Sequence, residues 1–73
     1  MFSNKQIQII RTRFQEALAL ENTAPPTGKI QLKPTWTEEE GMLQGFRIEA
    51  DGVKVALGHI TDTCLDCQVD LSS

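Results

Sequence analysis

The dipeptide Asp51-Gly52 lies between two apolar-rich runs, LQGFRIEA before it and VKVALGHI after it. A two-residue type I′ turn needs positive φ at both central positions. Asp tolerates that and Gly supplies it freely, so Asp-Gly in this setting predicts an antiparallel hairpin. Counting outward from the turn pairs Ala50 with Val53, Glu49 with Lys54, Ile48 with Val55, Arg47 with Ala56 and Phe46 with Leu57. One face then carries Phe46, Ile48, Ala50, Val53, Val55 and Leu57, while the other carries Arg47 and the opposite-charge pair Glu49–Lys54. Such cross-strand pairs contribute ~0.2–1 kcal/mol each. A slip of one residue would put Phe46 and Ile48 into water. Gly45 and Gly58 fall opposite each other in this register, and facing glycines point to a bend or to the close approach of another backbone.

Upstream of the hairpin, residues 4–20 have the pattern of an amphipathic helix. Ile7, Ile10, Phe14, Ala17 and Leu18 recur at helical spacing and form one apolar stripe. Ser3 is placed to cap the helix, Gln6 completes a capping box, and Phe2 with Ile7 can form a hydrophobic staple. Ile9 and Leu20 lie off the stripe. They read either as the edge of the packed face or as a second contact surface for another subunit or a partner. Residues 21–28, ENTAPPTG, form a linker in which Pro25 and Pro26 prevent the helix from continuing.

Residues 29–36 alternate Ile30, Leu32 and Trp36 with Gln31 and Lys33 and read as a strand. Pro34 has no N–H, which places that strand at an edge or ends it there. With strands over 43–50 and 53–60, the sheet has three or four members. The fourth depends on the tail, where Leu65, Cys67, Val69 and Leu71 alternate with Asp66, Gln68 and Asp70. A strand over 65–71 is favoured, with a helix capped by Asp62 as the alternative. The expected architecture is α+β: a single small domain over residues 1–73, with the N-terminal helix packed on an antiparallel meander. The helix stripe should meet Phe46, Ile48, Val55 and Leu57, joined by Ile30, Leu32 and Trp36.

The 73 residues carry a net charge of −3, and the imbalance is local. Residues 22–73 hold four basic and eight acidic side chains, whereas residues 1–21 hold three basic and two acidic. An acidic body argues against nucleic acid as a partner, because phosphate-backbone binding needs clustered Lys and Arg. The run Glu38-Glu39-Glu40 reads as a solvated loop, since hard-cation sites use spaced ligands on a loop of defined geometry. No apolar run approaches the ~20 residues that span a bilayer, so no membrane insertion is expected. MFSNKQ has no apolar core and no cleavage-like site, so a signal peptide is not expected and a reducing cytoplasm is the expected location.

One cluster could carry chemistry. His59, Asp62, Cys64 and Cys67 offer an imidazole, a carboxylate and two thiols at Cys-x-x-Cys spacing. Two thiolates so spaced can bind one tetrahedral zinc ion, but a structural site needs four ligands and a second pair is missing. A redox role needs the pair at a helix N-terminus, which requires the helical alternative for the tail. The competing reading makes Cys67 a small core residue and Cys64 a turn residue. On a strand, residues three apart face opposite ways, so the strand reading and the metal reading conflict. Phosphate-cradling loops, nucleophile elbows and zinc-protease motifs are absent from the sequence. A non-enzymatic protein is therefore expected, without cofactor or metal, acting by binding a protein partner or a second copy as a subunit, adaptor or inhibitor. The alternative is a zinc- or thiol-dependent module built on Cys64, Cys67 and His59.

Overall fold

The computed structural model describes residues 2–38, 40, 42–62 and 66–72. Helix α1 spans Asn4–Leu20 and is followed by strands β1 (Ile30–Glu38), β2 (Leu43–Ala50), β3 (Val53–Thr61) and β4 (Gln68–Leu71). All neighbouring strands are antiparallel, and the sheet order is β1-β2-β3-β4, a meander with the helix packed on it. The fold is α+β. Over residues 68–71 the tail is a strand and not a helix; Leu65 lies outside the described residues.

Local chemistry sets both ends of the helix. The Ser3 hydroxyl oxygen accepts from the Gln6 N–H at 3.1 Å, and the Ser3 N–H donates to Gln6 Oε1 at 2.9 Å, which is a complete capping box. Phe2 rests edge-on against the Phe46 ring, with centroids 6.2 Å apart. At the other end Asn22 takes a left-handed φ of 50°. The Thr23 N–H donates to the Leu18 carbonyl and the Asn22 N–H to the Ala19 carbonyl, so the chain leaves the helix through a Schellman motif. The helix is thus terminated at Asn22, before Pro25 and Pro26 are reached.

The hairpin turn has the expected geometry, with φ of 50° at Asp51 and 82° at Gly52. The ungapped register holds only for Ala50–Val53 and Glu49–Lys54. A bulge then inserts Val55, and the pairs become Ile48–Ala56, Arg47–Leu57, Phe46–Gly58 and Gly45–His59. This corrects the expected core face of β3. Ala56 and Ile60 are fully buried, while Val53 and Leu57 are exposed. The extra residue also lets Val55 and its neighbour Ala56 both reach the core. The core consists of Ile10, Phe14 and Leu18 from α1 with Phe46, Ile48, Ala56 and Ile60 from the sheet. Ile30 and Trp36, expected to join it, are about half exposed.

Gly45 and Gly58 do not face each other, yet each sits at a close approach. A Cβ on Gly45 would run into the Trp36 indole, and one on Gly58 would run into the Gln68 carbonyl oxygen and the Phe46 ring. A second bulge, in β1 between Pro34 and Thr37, carries Trp36 over Gly45 on the face away from the helix.

Candidate functional site: an uncovered groove beside the helix

Helix α1 backs onto β4 and the adjoining part of β3, and its backbone stays clear of β1 and β2. Gln6 Nε2 reaches the Thr61 carbonyl at 3.5 Å near the helix start, so α1 runs antiparallel to β3. Four strands spaced ~4.8 Å apart span about 14 Å between the outer strands, whereas a helix with its side chains is about 10 Å across. A helix seated over β4 and β3 covers Phe46 and Ile48 of β2 with its side chains and leaves the outermost strand, β1, only partly covered on that face.

A groove of about 810 Å³ occupies this position. The half-buried Ile7 and, behind it, the buried Ile10, Phe14 and Leu18 form its helical wall, Ile30, Leu32 and the buried Ile48 its floor, and Pro25 and Pro26 border it where the linker crosses to β1. Ile30 is 47% exposed, although its side chain lies on the same face as the buried Ile48 and Ala50. Arg11 and Gln15 stand along the helical wall, and among the described lining residues none is acidic. Helix periodicity identifies the wall, but a sequence shows neither where α1 sits across the sheet nor which half of the sheet it covers.

The opposite face of the sheet is polar and carries one buried charge. Glu49 is only 5% exposed and holds Arg47 Nε at 2.7 Å and Lys33 Nζ at 3.4 Å. Trp36 and His59 lie side by side there, with centroids 6.4 Å apart.

Ile9 is half-buried against the core, and Leu20 is 84% exposed at the end of the helix. His59 is on the sheet face away from the helix, whereas Cys67 packs against the core on the helix side. Asp62 is exposed in the turn after β3, and Cys64 lies outside the described residues. Among the described residues no three His, Cys, Asp or Glu side chains are grouped to hold a metal ion, and no helix is long and apolar enough to cross a membrane. No known protein family, curated protein or solved structure matches the chain.

Proposed function

We propose that this chain is a non-enzymatic binding module, a subunit, adaptor or inhibitor, that docks a protein partner in the groove between α1 and β1. The observation that carries the reading is the incompletely covered strand β1, where Ile30 is 47% exposed beside the half-buried Leu32. An apolar floor and an apolar helical wall meet there, with an exposed Ile30 at the rim. Covering exposed apolar area stabilises by ~25 cal/mol per Å², and Ile30 with the half-buried Ile7 and Leu32 supplies such area in the groove. The same proposal treats the chain as one domain. The zinc or thiol alternative draws no support from the opposite placement of His59 and Cys67.

Affinity capture from the native host with three forms of the protein tests this reading. A partner held by the wild type and by Lys54→Ala, but lost with Ile30→Glu, supports docking in the groove. A partner held equally by all three places the binding surface elsewhere.

A further inference from the structure

We propose that the groove's occupant is an amphipathic helix of about three turns from another protein, carrying a carboxylate that meets Arg11; this rests on the groove being the docking site. Three observations identify the occupant. The first is shape. The helical wall from Ile7 to Leu18 is about 16 Å long at 1.5 Å per residue. A second helix packs beside a first at an interaxial distance of about 8–10 Å, which from an α1 seated over β3 and β4 brings it to Ile30 and Leu32 of β1.

The second observation concerns the β1 edge, where a strand-forming partner would attach. The Asp51 N–H donates to the Lys29 carbonyl at 2.9 Å, so the backbone groups of Lys29 point toward β2. Alternation along an antiparallel strand then turns the backbone of Ile30, Leu32 and Pro34 outward. Pro34 has no N–H to offer there, and the bulge after it breaks the edge again. A helix satisfies its own backbone and asks nothing of that edge.

The third is charge. Arg11 lines the groove and makes no ion pair with a described residue, whereas Arg13 pairs with Glu16, and Lys33 and Arg47 pair with Glu49. With no acid among the described lining residues, the groove calls for an anionic group at this one point of an apolar surface. A second copy of the chain fits poorly. Its α1 already commits Ile10, Phe14 and Leu18 to its own core, and the one carboxylate on the remaining surface of that helix, Glu16, is paired with Arg13.

The experiment selects from a displayed library of helix-forming 14-residue peptides, once on the wild-type protein and once on Arg11→Glu. Arg11 is exposed on α1, so the variant retains the fold, which circular dichroism verifies. Wild-type selection is expected to enrich an apolar stripe with Asp or Glu at one fixed offset, and selection on Arg11→Glu to enrich Lys or Arg at that offset. The wild-type-selected peptide should bind Arg11→Glu about two- to five-fold more weakly, the range for an exposed ion pair, and should lose binding to Ile30→Glu. Peptides that lose binding to Ile30→Glu but show no acidic preference would overturn the carboxylate assignment and leave the groove reading standing. Selected peptides that bind the groove in a non-helical form would overturn the helix. A wild-type dimer whose groove amides are protected from exchange would make the second copy the occupant. Peptides indifferent to Ile30→Glu, or no binders at all, would sink the groove reading itself.

Discussion

Lys29 and Asp51 are joined twice, once through backbone and once through a side chain. The Asp51 N–H donates to the Lys29 carbonyl, and the Lys29 N–H donates to the Asp51 carboxylate, each at 2.9 Å. The residue that shapes the β2–β3 turn therefore also pins the start of β1. Asp51→Asn keeps an acceptor oxygen and tolerance of positive φ, and should be nearly neutral. Asp51→Ala loses the acceptor and places Ala at φ 50°, and should cost about 1–3 kcal/mol. Urea denaturation midpoints compare the two, and equal midpoints would mean that the carboxylate does not anchor β1.

Gly52 makes a separable case. A Cβ there meets open space, so any cost of substitution comes from the backbone at φ 82°. Gly52→Val should destabilise by about 1–2 kcal/mol or more, and Gly52→Asn by clearly less. If valine and asparagine prove interchangeable in thermal unfolding, the type I′ turn is not under conformational demand.

The two close-approach glycines of β2 and β3, Gly45 and Gly58, should differ in severity. At Gly45 the obstruction is the Trp36 indole, a side chain that can swing toward solvent. At Gly58 the nearest obstruction is the Gln68 carbonyl on β4, which cannot move without opening the sheet. Gly58→Ala should therefore be the more destabilising. Gly45→Ala should instead change the emission of Trp36, the one tryptophan of the chain. A larger stability loss at Gly45 would contradict this ranking.

The buried Glu49 is held by two half-exposed cations, Arg47 and Lys33. Arg47→Met leaves a buried carboxylate with Lys33 alone at the longer distance, and should cost about 1–3 kcal/mol. Lys33→Met should cost less, because the 2.7 Å contact to Arg47 survives. Chemical denaturation of both variants checks the order, and a costlier Lys33→Met would reverse the assignment of Arg47 as principal partner.

Ser3→Ala should cost about 1 kcal/mol through loss of the cap. Hydrogen exchange at the Gln6 amide, the donor to Ser3, reads it directly. Unchanged exchange would show that the cap does not hold that donor.

Much of the architecture was legible because its signals are local. The capping box, the helical stripe and the Asp-Gly turn each lie within a few residues, and each dictates its own geometry. The register of β3 was not legible. Phe46, Ile48, Val55 and Leu57 alternate well enough to suggest an unbroken ladder, and the advantage of burying Ala56 and Ile60 instead appears only once α1 and β4 are in place. The hairpin alone pairs Glu49 with Lys54, since it reveals only its own cross-strand pairs; Lys33 arrives from β1. The groove depends on the lateral seating of α1, a relation between distant segments that no local pattern encodes.

Val55 works as a frameshift written into the protein chain. Upstream of it, toward the turn, β3 keeps one phase; downstream, inside and outside are exchanged. Deleting this one residue would not merely shorten the strand. With β2 and the turn unchanged, an ungapped ladder would carry Ala56 into the place of Val55 and keep every later residue in its present pairing, so the alternation from Leu57 to the buried Ile60 would survive the excision. Inserting a residue at the same point would have the opposite outcome, turning Ile60 toward water and His59 toward the helix. Tolerance of deletion and intolerance of insertion, at a single position of an otherwise symmetrical hairpin, is the signature such a phase change leaves.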